Sequence, residues 1–140
     1  MISEEMKKTL VERAFEARKK AYTPYSHHKV GAALLGKNGQ IYLGCNIENA
    51  AFTPSNCAER TAVFKAVSEG QLEFDAIAVV GGMEDAEELD YCAPCGVCRQ
   101  VLREFCDNDF EIILAKDVEH RKTLTLKEIL PLGFGPENLR

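Results

Sequence analysis

The chain has 140 residues, of which 46% are hydrophobic, and a formal net charge of −5. That length predicts one domain, residues 1–140, with enough chain to bury a core, and the apolar content excludes a disordered polypeptide. The acidic balance, with basic residues clustered only at Arg18-Lys19-Lys20 and Arg121-Lys122, argues against nucleic acid, whose binders present basic stripes. Apolar runs such as Ile77–Val80 are strand-sized and far too short to cross a bilayer, so no membrane partner is expected. The segment after Met1 is charged and amphipathic, without the apolar stretch of a secretory signal, and the expected compartment is the cytoplasm.

Ser3 predicts a helix N-cap, with Glu4 and Glu5 in a first turn where the helix dipole favours acids. Met6, Leu10, Ala14 and Ala17 recur at helical spacing, Arg18-Lys19-Lys20 closes the helix, and Tyr22-Thr23-Pro24-Tyr25 ends it. Lys29 to Leu35 reads as a buried strand, Asn38-Gly39 as a hairpin turn, and Gln40 to Cys45 as the returning strand. Asn46 to Asn56 is a polar loop. A second helix is predicted from Asn56 or Cys57 to about Glu69, with Gly70 as its C-terminal stop. Phe74 to Val80 is a continuous apolar strand that Gly81-Gly82 should end, and Met83 to Tyr91 reads as an acidic surface loop. Pro94 should open a third helix reaching Phe105, followed by a strand at Phe110–Ala115 and a fifth at Thr123–Leu126. Thr125 and Glu128 match a capping box for a short last helix, stopped by Pro131, and Leu132 to Arg140 is a Gly- and Pro-rich tail.

This order predicts an α/β fold. Continuously apolar strands need cover on both faces, which implies a three-layer α-β-α arrangement with a mixed, roughly five-stranded sheet flanked by helices.

The chemistry lies in the cysteines. Six cysteines without a secretion signal read as metal binding rather than a disulfide framework. Cys57-Ala58-Glu59 is followed about thirty-five residues later by Pro94-Cys95-Gly96-Val97-Cys98. Cys57 and Cys95 fall at predicted helix starts, and Cys98 lies one turn after Cys95 on the same face, so all three thiols can meet on one zinc ion. Three protein ligands leave the fourth tetrahedral position for water, as in catalytic zinc sites. A ligand, any residue, Glu, then Pro-Cys-x-x-Cys is the pattern of zinc-dependent deaminases, in which the Glu is acid and base, not ligand. Plainer readings exist. Glu59 stands three residues after Asn56 and could close a capping box. Cys95 and Cys98 could be a redox pair, or half of a closed zinc knuckle with Cys92, Cys45 or Cys106 as fourth ligand. Cys45 and Cys106 otherwise read as core, and His27 and His28 as loop or pocket residues.

Four segments, Val30-Gly-Ala-Ala-Leu34, Asn46-Ile-Glu48-Asn-Ala-Ala51, Cys57-Ala-Glu59-Arg-Thr-Ala62 and Pro94-Cys-Gly-Val-Cys-Arg-Gln100, together resemble the short, homotetrameric cytidine deaminases, over about Tyr22 to Phe134. The resemblance implies hydrolysis of cytidine and 2′-deoxycytidine to uridine, or deoxyuridine, and ammonia, in pyrimidine salvage. It implies one Zn²⁺ per chain on Cys57, Cys95 and Cys98, with Glu59 as proton shuttle. Asn46 and Glu48 would bind the ribose hydroxyls, the backbone at Ala58 and Pro94 would read the pyrimidine edge, and Arg60 would donate to the cysteine sulfurs. Phe134 would reach a neighbouring subunit's base in a homotetramer with composite active sites. Two positions depart from the family pattern: His28 stands where Phe is usual and Phe52 where Tyr is usual. Both bear on the choice of nucleoside.

Overall fold

The computed structural model describes residues 1–140. Helix α1 (Glu4–Arg18) is followed by β1 (His28–Gly36), β2 (Ile41–Cys45), α2 (Ala58–Ser68), β3 (Phe74–Met83), α3 (Gly96–Phe105), β4 (Glu111–Ala115), β5 (Arg121–Thr125) and α4 (Leu126–Ile129), with a last 3₁₀ turn at Pro136–Leu139. One five-stranded sheet runs in the order β2-β1-β3-β4-β5. Only β3 and β4 are parallel, joined by a crossover through α3; the other pairs are antiparallel. The mixed sheet expected from the sequence is therefore present, with helices on both faces.

The strands alternate between two cores. Ala33, Leu35, Ala76, Ala78, Val80 and Ile113 face α1, meeting Leu10, Val11 and Ala14. Ala32, Leu34, Ile77, Val79, Ile112 and Leu114 face α2, α3 and α4, meeting Ala62, Val63, Leu102 and Leu126. A fully buried aliphatic side chain contributes about 1.5–3 kcal/mol, so this double-sided burial is the main source of stability. It also explains why the strands read as continuous apolar runs instead of alternating ones.

Local signals match the helix ends. The Ser3 hydroxyl accepts the Met6 N–H at 3.1 Å. Thr125 and Glu128 form the expected capping box, the Thr125 N–H donating to the Glu128 carboxylate at 2.9 Å. Two readings need correction. Strand β3 does not stop at Gly81-Gly82 but continues to Met83, pairing Val30 with Gly81, Lys29 with Gly82 and His28 with Met83. A Cβ at Gly81 would lie 2.9 Å from both Cys92 Sγ and a Val30 methyl, so this glycine permits close packing and does not break the strand. The tail also carries the 3₁₀ turn at Pro136–Leu139, where a Pro in the first position presets the backbone.

Strand β2 ends where β1 begins, since Gly31 pairs with Cys45. Helix α2 starts at this same end, lying directly on Gly44, where a Cβ would come within 2.3 Å of the Ala58 carbonyl oxygen and 2.5 Å of the Ala62 nitrogen. Gly44→Ala should therefore push the start of α2 off the sheet and cost about 1–3 kcal/mol, the usual range for overpacking. Gly96→Ala, where an added Cβ meets no atom within 4 Å, should be close to neutral. Urea midpoints at fixed zinc concentration test this, and equal midpoints for the two variants would contradict it.

Candidate active site

Cys57 and Cys95 are the N-cap residues of α2 and α3, and neither makes a side-chain capping bond. The two sulfurs lie 3.6 Å apart. Cys98, fully buried one turn into α3, completes a trio whose sulfur atoms all lie within 4.8 Å of one another. Around a tetrahedral zinc with Zn–S bonds of about 2.3 Å, sulfurs stand about 3.8 Å apart, so the donor set fits that ion. No fourth Cys, His, Asp or Glu joins the cluster. Cys106 is buried in the core behind it, and Cys45 sits at the end of β2. The closed knuckle thus lacks its fourth ligand.

Cys57 is drawn down to about 5, chiefly by the hydrogen bond it receives from Cys98 and then by the Arg60 guanidinium, after burial opposes the shift. Cys98, holding the shared proton, is pushed up correspondingly. Arg60 Nη2 donates to Cys57 Sγ at 3.3 Å.

Glu59 is buried, at 4% exposure, in the first turn of α2. Burial, with a smaller contribution from the Cys57 charge, pushes its carboxyl up to about 7. It closes no capping box: the N-cap is Cys57, and Asn56 donates its amide to Thr61 Oγ1 at 3.1 Å. A carboxyl buried beside three thiols, outside any structural pairing, is placed to carry protons.

A cavity of about 250 Å³ opens onto these groups. Glu59, Cys57, Cys95, Ala58, Asn46, Glu48 and His28 are among its lining residues. Asn46 is also a structural clamp, its Oδ1 accepting the Val30 N–H and its Nδ2 donating to the His28 carbonyl, both at 2.8 Å. Phe52 lies outside this cavity, over an adjoining hollow, edge-on to Tyr25 with ring centroids 6.4 Å apart. Phe134 also lies outside it, exposed, its carbonyl accepting from Gln100 at 2.9 Å. Ser26, Val30, Cys92 and Ala93 complete the walls. Of these, only Cys92 drew attention in the sequence, as a spare ligand; its thiol is instead pushed up to about 11 by burial and stays neutral. Ser26 carries no sequence signal beyond its place in a turn. A larger groove of about 640 Å³, between Arg18, the acidic loop and His120, contains no comparable ligand cluster.

A mixed sheet under two helix starts that bring three thiols and one buried carboxyl together fits a zinc-dependent hydrolase. The comparisons agree. Residues 4–114 match the family model "Cytidine and deoxycytidylate deaminase zinc-binding region". The chain is 46% identical over 130 residues to a cytidine deaminase of Sporosarcina psychrophila, covering 93% of this chain and 92% of that one. The crystal structure of a cytidine deaminase from Burkholderia pseudomallei superposes with a TM-score of 0.81 at 43% identity, over 90% of this chain and 97% of that one. A blasticidin-S deaminase of Bacillus cereus is 34% identical over 128 residues, 89% of each chain. The chain belongs to the cytidine and deoxycytidylate deaminase family.

Proposed function

We propose that this chain hydrolyses cytidine, and 2′-deoxycytidine, to uridine or deoxyuridine and ammonia, a step of pyrimidine salvage, within a single domain spanning residues 1–140. The observation that carries this reading is the buried Glu59 carboxyl beside a three-sulfur cluster, with Glu59, Cys57 and Cys95 on the wall of a cavity of about 250 Å³. Cys57, Cys95 and Cys98 hold one zinc per chain. When bound, zinc supplies an activated water to the carbon bearing the amino group. Glu59 takes a proton from the attacking water and delivers it to ring N3, then takes the second proton from the hydroxyl so added and passes it to the departing amine. Arg60, already on the Cys57 sulfur, withdraws charge from the thiolates so that they quench the metal less.

The Ala58 amide, in the first turn of α2, has no intrahelical acceptor, and Ala58 borders the cavity, so this N–H can read a pyrimidine oxygen; Pro94 is fully buried outside the lining, its carbonyl accepting from Arg99 at 2.7 Å. Asn46 and Glu48 receive the sugar. His28 stands against the base. The exposed Phe134 and its neighbour Leu132 support a homotetramer in which this tail completes a partner's pocket. No helix is long and apolar enough to cross a membrane, which accords with a cytoplasmic salvage enzyme. A second reading, a base-modified cytosine nucleoside as substrate, is favoured by His28 in the cavity wall and by the likeness to a blasticidin-S deaminase.

Cytidine conversion followed by ultraviolet absorbance should be lost with a strong chelator and restored by zinc. Glu59→Gln should retain one zinc per chain yet lose about 10²–10⁴-fold in kcat, the usual contribution of a proton-transfer group. Near-normal turnover in that variant would remove Glu59 from the chemistry, and a cobalt-substituted protein with four sulfur ligands would refute the open metal site. His28→Phe should lower KM for cytidine and reduce turnover of base-modified analogues. Unchanged values for both would leave His28 no part in substrate choice. Light scattering should report the mass of four chains, with Phe134→Ala lowering kcat/KM; an active monomer would end the composite-site reading.

A further inference from the structure

The Glu48 carboxylate is gripped by the turn that precedes β1. Its Oε1 accepts two backbone N–H groups, from Tyr25 at 3.1 Å and Ser26 at 3.0 Å. Its Oε2 accepts the Ser26 hydroxyl. Ser26 Oγ in turn accepts the His28 N–H at 3.1 Å. The direction of this chain is forced: an ionised carboxylate only accepts, so the single hydroxyl hydrogen goes to Glu48 and the lone pair to His28. Glu48 stays ionised, its carboxyl held below the usual range first by the Ser26 hydroxyl and then by the backbone of the same turn.

The three donors do different things. Two N–H groups on one oxygen fix where that oxygen sits but leave the carboxylate plane free to swing about it. The hydroxyl on the other oxygen fixes the plane. A carboxylate offers about four acceptor directions, so three are filled and one remains for a ligand. Ser26 borders both the main cavity and the adjoining hollow, the place from which that last direction is set.

We propose that Ser26 is a positioning residue for sugar recognition, its hydroxyl aiming the one free acceptor direction of Glu48 while tying it to the backbone at His28. The inference rests on the reading that Glu48 receives a sugar hydroxyl. It does not require Ser26 to hold the turn. His27, at φ 59°, is secured separately: its carbonyl accepts the Glu84 N–H at 2.8 Å and its ring nitrogen lies 3.1 Å from the Glu84 carboxylate.

Ser26→Ala, Ser26→Thr, Glu48→Ala and the Ser26→Ala/Glu48→Ala pair should be compared on cytidine and on 2′,3′-dideoxycytidine, which keeps the base and lacks both ring hydroxyls. Ser26→Ala should raise KM for cytidine about tenfold, the scale of a hydrogen bond to a charged group, with kcat within about twofold. Ser26→Thr, which keeps the hydroxyl, should recover most of the loss. Neither change should affect dideoxycytidine, and Ser26→Ala should add nothing once Glu48 is Ala. The urea midpoint of Ser26→Ala should stay near wild type. Equal losses on both substrates, additive losses in the double variant, or a collapsed urea midpoint would overturn the positioning role while leaving the deaminase reading intact. A wild-type protein that neither binds nor converts cytidine would overturn both.

Discussion

Two helices that begin at the same spot make this site possible. Each helix start leaves unpaired N–H groups and the positive end of a dipole, which favours negative charge there. Here the N-cap positions, where Ser, Asp or Asn oxygens are usual, hold Cys57 and Cys95, and neither sulfur caps its helix. The sheet brings the starts together. Strand β2 feeds α2 and β3 feeds α3 at the same end of the sheet, and the bare backbone of Gly44 lets α2 lie close enough for the sulfurs to approach to 3.6 Å. A looser contact at Gly44 would move Cys57, Ala58 and Glu59 together, because they share one turn.

That convergence gathers three thiols and a buried carboxyl in one place. Burial, with a smaller push from Cys57, holds the Glu59 carboxyl up at about 7 instead of its ordinary 4.5. The Glu59 shift corresponds to about 3 kcal/mol. Its sign is that of a buried acid. The neutral form supports the fold fully below pH 4.5, and that support is lost as pH rises through about 7. Cys57, Cys95 and Cys98 would hold a divalent cation as thiolates, so its binding would release protons and stabilise the folded state together. A buried carboxyl shifted this far is the kind of group that marks a functional site.

Most of the metal half was legible because its logic is local. Spacing of i, i+3 places Cys95 and Cys98 on one face whatever the tertiary context, and helix-start residues announced both N-termini to within two residues. The sheet order was less accessible: an apolar run does not say which neighbour it pairs with. Gly81-Gly82 misled for a related reason. A glycine that admits a neighbour's side chain looks, in sequence, the same as one that ends a strand, and only the packing of Cys92 and Val30 against Gly81 separates them. Ser26 had only its place in a turn to mark it, since the carboxylate it meets lies twenty-two residues away in the chain. Asn46 was read only as a ligand contact, yet its amide also bridges two backbone groups of β1.

The two halves of the cavity are consequently built by different means. The metal half is cut from regular helix and core, where Cys98 and Ala58 are fully buried and any change is felt through the packing. The half that would face base and sugar is a turn and a strand end held by side chains: Asn46 on Val30 and His28, Ser26 and Glu48 on each other, and Arg18 reaching the carbonyls of Lys29, Gly82 and Met83 at 2.9–3.1 Å. These bonds grip backbone and leave the His28 side chain free of structural duty. A substitution there changes what the cavity presents to the base without loosening β1, because the strand's position does not depend on that side chain. This separation explains how one chain keeps the Cys57-Ala58-Glu59 and Pro94-Cys95 segments intact while carrying an imidazole at position 28, where its relatives' pattern has an apolar ring.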